Sequence, residues 1–344
     1  MESAIKINNR KIGTLYSPFV IAEIGINHEG SIRKAFKMVD DAHKSGCECV
    51  KFQTHIIEDE MIKTNVKPGH TKETIWDIMK RCALSENEDI RLKKYVESKG
   101  MIYLSTPFSR AAANLLHRLK VPAYKIGSGE CNNYPLIEHV ARFGKPVILS
   151  TGMNDIPAIR KSVNIFKKYK ISYALLHCTS VYPTPYEKVR LGAINNLKHN
   201  FPDCVIGLSD HSIGTYTCYA AVALGASIIE KHFTSKKSWK GPDINISITP
   251  KELEELIIGA RAIHQALGGT KTILPEEYPT INFAYACVVS IKKIKKGEKF
   301  NENNIWVKRP GTGEIKAINY PKVLGNKSNR DIINNTQIKW SDIR

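Results

Sequence analysis

Two histidines end neighbouring apolar runs. His211 follows Gly207-Leu-Ser-Asp210, and His232 closes Ser227-Ile-Ile-Glu-Lys-His232. Runs of this length and composition read as strands, which places both imidazoles at strand C-termini. Two imidazoles with the carboxylates Asp210 and Glu230 beside them suit a divalent metal with oxygen ligands, manganese, magnesium or cobalt, better than structural zinc. Other runs end in equally polar residues. Glu23, Lys51, Gln53 and Lys125 fall at or near run ends. Period-two alternation puts Lys51 and Gln53 on one face, and Glu230 and His232 on another. Thr106, Ser128, Glu130, Ser150 and Ser209 sit at run ends or in the loops that follow. Lysines, hydroxyls and loop amides together bind a phosphate or a carboxylate. Gly127-Ser-Gly129 lets backbone N–H groups approach such an anion closely. Brought to one rim, these residues make an anion site beside a metal site. Lys125 is also a candidate Schiff-base amine, with the metal site as the competing electrophile. His177 reads as a core histidine, Glu58, Asp59 and Glu60 read as surface charge, and His28 stays open.

The elements that must position them follow from periodicity. Eight short apolar runs recur: 19–24, 49–53, 101–105, 123–126, 146–150, 173–177, 204–208 and 226–232. Amphipathic helical patterns lie between them. Ile32, Ala35, Phe36, Val39 and Ala42 form one apolar stripe, closed by Gly46. Leu92, Tyr95 and Val96 form another, closed by Gly100. The last opens on a capping box, with Thr249 as N-cap, Pro250 at N1 and Glu252 at N3. Eight β-α alternations predict an α/β fold of the (β/α)8 TIM-barrel type, whose chemistry sits at strand C-termini. An open dinucleotide-binding sheet would want a glycine-rich turn after its first strand, and Glu23-Ile-Gly-Ile-Asn-His28 is not one. The expected division is a catalytic barrel at 1–269, a polar linker at 270–281 and a small C-terminal domain at 282–344. Strand-like segments in that tail are 287–291 and 305–307. A tail this short is marginal as a separate core and is expected to lean on another surface.

Composition excludes several classes. No apolar run approaches the length of a membrane span, and the N-terminus lacks a secretory apolar core, so a cytoplasmic enzyme is expected. The eight cysteines contain no C-x-x-C pair and read as buried free thiols. Net charge is +18, but the lysines are scattered and no nucleic-acid-binding signature accompanies them. A positive field of that size steers small anionic substrates. The non-catalytic rival is a basic tail that binds glycan or nucleic acid.

The chain resembles the sialic acid synthase family. The words that carry the resemblance are Glu23-Ile-Gly-Ile-Asn-His-Glu-Gly30, Lys51-Phe-Gln-Thr-His55, Ser105-Thr-Pro-Phe-Ser-Arg110 and Tyr124-Lys-Ile-Gly-Ser-Gly-Glu130. Gly207-Leu-Ser-Asp-His211, Lys231-His-Phe-Thr234 and Trp306-Val-Lys-Arg-Pro-Gly311 extend it over essentially the whole length. The resemblance implies a barrel followed by an antifreeze-like (SAF, β-clip) domain. It implies condensation of phosphoenolpyruvate with N-acetylmannosamine and water, giving N-acetylneuraminate and phosphate. Same-chemistry alternatives are a legionaminate or a pseudaminate synthase acting on a 2,4-diacetamido-trideoxyhexose. By the same resemblance His211 and His232 match manganese ligands. Lys51, Thr106, Lys125, Ser128, Ser150 and Ser209 match phosphoenolpyruvate contacts. Ser180 stands where many relatives carry Asn beside that substrate. Gln53, Glu130, Tyr182 and Asp243 match residues lining the sugar, and His70 aligns near it. Glu23 matches the acid that handles a proton or water. Phe283 and Arg309 match tail residues that reach the other subunit's active site in a domain-swapped homodimer. Neither nucleic acid nor membrane is an expected partner.

Overall fold

The computed structural model describes residues 4–68 and 72–344, so His70 lies outside the described residues. The chain divides into two compact units, Met1–Gly268 and Gly269–Arg344. A hairpin opens the first, with β1 at Ala4–Ile7 and β2 at Arg10–Gly13. Eight strands follow: β3 Phe19–Gly25, β4 Cys49–Thr54, β5 Ile102–Pro107, β6 Tyr124–Ile126, β7 Val147–Ser150, β8 Tyr173–Cys178, β9 Val205–Asp210 and β10 Ile228–His232. They pair in the order β5-β4-β3-β10-β9-β8-β7-β6, with parallel ladders throughout. The two terminal members, β5 and β6, lie against each other and complete the ring. The eight predicted runs are these eight strands, with ends shifted by one or two residues.

Alternation along the strands sorts their side chains into two cores. Val20, Ala22, Val50, Tyr103, Leu149 and Leu175 point outward and pack under the helices. Phe19, Ile21, Cys49, Leu104, Ile148, Leu176 and Ile228 point inward and fill the N-terminal half of the barrel. Ile5, Ile7 and Ile12 of the hairpin join that inner cluster and stopper the bottom. Along the same inward rows the C-terminal halves switch to Glu23, Lys51, Gln53, Lys125, Ser150, Ser209, Glu230 and His232. One periodicity therefore sets both a dry floor and a polar rim. Gly207 sits on the inward row of β9. A Cβ there would stand 2.5 Å from both the Ile228 carbonyl oxygen and Leu176 Cδ2, so only glycine fits.

The helices end as their sequences predict. Thr249 and Glu252 cap helix Pro250–Ala266 reciprocally, and Ser85 with Glu88 does the same for helix Glu86–Ser98. That second helix buries Asp89, and burial, then Glu88 and Glu86, pushes its carboxyl up from 3.8 to about 7. The folded state thus holds a proton that the unfolded chain releases near pH 4. The resulting penalty is absent below pH 4, grows between pH 4 and 7 and is constant above. Asp89→Asn is expected to stabilise the protein at pH 8, on the order of 2–4 kcal/mol, and to change little at pH 4. Urea unfolding at the two pH values checks this, and equal effects at both would contradict it.

The second unit has its own small core of Val288, Ile294, Phe300, Ile305, Ile315, Val323, Ile332 and Ile338. Its strands β11 Cys287–Ser290 and β12 Ile305–Lys308 pair antiparallel. All eight cysteines of the chain are buried and free. No helix among the described residues is long and apolar enough to cross a membrane.

Candidate active site

The polar ends of the inward rows meet in one cavity of ≈ 300 Å³ at the C-terminal rim. Glu23, Lys51, Gln53, Thr106, Lys125, Ser128, Ser150, Ser180, Tyr182, Ser209, His211 and His232 all line it. At its floor two lysines and two carboxylates interlock. Lys51 Nζ lies 2.8 Å from Glu23 Oε2 and 3.7 Å from Glu230 Oε1, and donates to Thr106 Oγ1 at 3.2 Å. Lys125 Nζ donates to Ser150 Oγ at 2.7 Å and lies 3.5 Å from Glu230 Oε1. Ser209 Oγ donates to Glu230 Oε1 at 3.2 Å, leaving the buried Glu230 Oε2 without a hydrogen bond.

Burial acts unequally on the two carboxyls. It drives Glu23 upward, and Lys51 only partly opposes it. Burial also works to raise Glu230, but Lys125 and Lys51 together hold it below the ordinary carboxylate range. A site with one protonated and one ionised carboxyl can give a proton at one point and stabilise positive charge at another. Burial also lowers Lys125, despite Glu230.

Above the lysines a small-residue shelf leaves room for an anion. Gly152 N donates to Ser128 Oγ at 3.0 Å. A Cβ on Gly152 would stand 2.5 Å from Ser180 Oγ and 2.9 Å from Ser128 Oγ, so any side chain there would fill the shelf. Ser180 Oγ is buried and has no hydrogen-bond partner.

The two histidines stand side by side, ring centroids 5.4 Å apart, with the Tyr182 ring 4.1 Å from His211. His211 Nδ1 lies 2.9 Å from the Thr179 carbonyl oxygen. A carbonyl only accepts, so Nδ1 carries a proton and Nε2 is the nitrogen left to face a metal. His232 Nδ1 is buried without a hydrogen bond, 3.8 Å from Asp243 Oδ2. Burial, then the neighbouring His211 and lysines, pushes His232 well below its ordinary pKa. His232 thus offers a neutral nitrogen donor, the form a metal requires, whereas the burial of His211 is outweighed by Cys178, the Thr179 carbonyl and Asp210, which together raise it. Among the described residues no three His, Cys, Asp or Glu side chains gather to hold an ion unaided. The donor set fits an ion that takes its other ligands from water or substrate oxygens. A buried ion pair ties the two histidine strands together: Lys231 Nζ lies 2.5 Å from Asp210 Oδ2 and also donates to the Ser212 carbonyl.

Several residues fall elsewhere than the sequence implies, or were not singled out by it. Glu130 does not line the cavity, and its carboxylate accepts from Asn133 Nδ2 at 2.5 Å. Asp243 stands at the cavity's edge beside His232. Phe283 and Arg309 belong to the second unit, where both are exposed. Glu230, placed on the rim by its sequence but given no role there, lines the cavity, as does Cys178, which was not named. Each lies two positions from an inward residue on its strand, which is the signal that could have found it. Glu60 is not surface charge. Its Oε2 lies 2.8 Å from His55 Nδ1, whose Nε2 lies 3.1 Å from Gln53 Oε1, and Gln53 Nε2 donates to Glu23 Oε1 at 3.3 Å. This relay fixes Gln53 and Glu23 from behind. Asp59 accepts from the Ala111 amide, while Glu58 is exposed. His177 is a satisfied core histidine, with Nε2 2.6 Å from the Val189 carbonyl. His28 is buried, and its Nδ1 accepts from Gly30 N.

Comparisons with known proteins agree with one another. A family model described as the NeuB family matches residues 38–272, and a SAF domain model matches 285–344. The chain is 38% identical to the N,N'-diacetyllegionaminic acid synthase of Campylobacter jejuni, over 89% of this chain and 94% of that one. It is 34% identical to the human N-acetylneuraminate-9-phosphate synthase, over 91% and 87% respectively. The crystal structure of an N-acetylneuraminic acid (sialic acid) synthetase from Leptospira borgpetersenii superposes with a TM-score of 0.75 at 36% identity, covering 82% of this chain and 96% of that one.

Proposed function

The chain belongs to the NeuB family of synthases, and from that premise we propose that it condenses phosphoenolpyruvate with an N-acylamino sugar and water, releasing phosphate. N-acetylmannosamine is the acceptor in the first reading, giving N-acetylneuraminate. The observation that carries the proposal is the adjacency, in one cavity, of a lysine–hydroxyl cradle and two side-by-side histidines.

Lys51 and Lys125 hold the phosphate and carboxylate, with Thr106, Ser128, Ser150, Ser180 and Ser209 supplying hydroxyl contacts. As C3 of phosphoenolpyruvate bonds to the open-chain aldehyde carbon, C2 becomes electron-poor, and Glu230 stabilises that charge. Glu23, fixed by Gln53, guides the water that adds at C2 and manages its proton. Lys51 and Lys125 then stabilise charge on the departing phosphate as the C2–O bond breaks. His211 and His232 would hold a divalent ion, manganese in this proposal, which when bound polarises the aldehyde oxygen as a Lewis acid. Gln53, Tyr182 and Asp243 line the sugar's path. Glu130 serves it only indirectly, since Asn133 engages its carboxylate.

A second reading keeps this chemistry and takes a diacetamido-trideoxyhexose. Ile78, Pro242 and Ile246 in the cavity beyond Tyr182 favour it, because they offer apolar cover for a methyl group. Phosphate release measured with each acceptor, with and without manganese, tests the function. Bridging ¹⁸O in phosphoenolpyruvate is expected to leave with the phosphate. Label retained in the sugar acid would show attack at phosphorus and overturn the mechanism.

A further inference from the structure

Beyond the Tyr182 ring lies a second cavity of ≈ 590 Å³. Tyr182 lines both cavities, and its ring packs on His211 on the side of the reacting centre. The turn after Gly241 forms another shared boundary, since Asp243 reaches within 3.8 Å of His232 while Gly241 and Pro242 line the second cavity. For a sugar whose aldehyde sits by the histidines, this is the space beyond Tyr182 that its far carbons would enter.

The charges there are already committed. Arg81 Nη1 donates to Glu29 Oε1 at 3.1 Å. Arg81 Nη2 and Nε donate to the two Glu73 oxygens at 3.0 and 3.3 Å. Glu29 Oε2 also lies 3.3 Å from Lys34 Nζ. The clamp is held by backbone as well. Glu29 adopts a left-handed conformation at φ 50°, and a Cβ on Gly30 would run into the Arg81 carbonyl oxygen, so turn and helix are fitted to each other. Lys240 is the other cation among the described lining residues.

We propose that the acceptor sugar ends in a neutral group, a hydroxyl, amide or methyl, and that Glu29 and Glu73, bridged by Arg81, exclude an acceptor carrying a terminal phosphate monoester. The proposal rests on the condensation proposed above and narrows its substrate class. A phosphate dianion in this cavity would lie against two carboxylates and would have to strip Arg81 from them, with Lys240 as the remaining cation among the described lining residues. A neutral terminus meets no such repulsion. Its hydroxyl or amide N–H donates to the carboxylates, its oxygen accepts from Arg81, and Ile78 and Ile246 cover a methyl.

The test uses the full chain supplied with manganese. Phosphate release from phosphoenolpyruvate is measured with N-acetylmannosamine, its 6-phosphate and a 2,4-diacetamido-trideoxyhexose. The better neutral acceptor is expected to exceed the 6-phosphate in kcat/KM by at least about 100-fold. In Glu73→Gln and Glu29→Gln, measured separately, that ratio is expected to fall by about 10-fold. A role in folding alone would lower all acceptors in parallel and leave the ratio fixed, which would overturn the assignment to the carboxylates. A 6-phosphate used as well as or better than the neutral acceptors overturns the inference while leaving the condensation standing. Turnover with none of the three overturns the condensation and this inference together.

Discussion

Turnover is expected to fall by at least about 1,000-fold when either His211 or His232 becomes alanine. The size of the effect follows from the geometry. The Thr179 carbonyl fixes one ring's tautomer, the other ring is buried with an unpartnered nitrogen, and no third side chain among the described residues can replace a lost donor. Treatment with a chelator is expected to abolish phosphate release in the wild type, and added manganese to restore it. Manganese binding followed by electron paramagnetic resonance separates loss of the ion from loss of chemistry. Thermal unfolding checks that each variant folds, which the Lys231–Asp210 pair beneath the histidines favours. A chelated wild type with undiminished turnover would remove the metal role.

Lys125→Ala is expected to cost about 100- to 10,000-fold in kcat/KM. It removes a cation from the anion cradle and leaves Glu230 and Ser150 without its contact. The same variant tests how the tail is used. In the domain-swapped homodimer that the family resemblance implies, Arg309 of one chain serves the barrel of the other. Subunits carrying Lys125→Ala, mixed one to one with subunits carrying Arg309→Ala, then form heterodimers with one intact site. Activity is expected to recover to about a quarter of the wild type. Demonstrated subunit exchange without recovery would mean that each tail serves its own barrel.

The barrel was readable because each of its strands is a short apolar run ending in polar residues, and the helices between them carry clean stripes and caps. The hairpin at Ala4–Gly13 was not read, although Ile5 and Ile7 alternate, Ile12 follows and Asn8-Asn9 marks the turn. Four-residue strands give too little periodicity to stand out before their packing partner is known. The rim was legible for the same reason as the strands, since side-chain direction follows from counting by two. The place of Glu230 on the rim was legible but its role was not, because a carboxylate between two isoleucines and a lysine does not reveal that it sits between Lys51 and Lys125, which are distant in sequence. Glu60 escaped because three consecutive acids look like solvated surface, while only the third folds back onto His55. The Glu29–Arg81–Glu73 clamp joins residues up to 52 apart and leaves no local pattern at all.

The concealment of all eight thiols has a practical meaning for fluorescence work. Burial pushes Cys47 and Cys82 up to about 11 and Cys131 and Cys204 up to about 12, far from the thiolate form that maleimide dyes attack. Cys178 lies lower, because His211, Ser128 and Lys125 together outweigh its burial, and it is reached only through the active-site cavity whose wall it forms. The native chain is thus a dark background for spectroscopy. Leu15→Cys on the barrel and Ile318→Cys on the tail, at positions 70% and 85% exposed, would take a donor and an acceptor dye without any native cysteine being removed. Energy transfer between them would then measure the distance between barrel and tail.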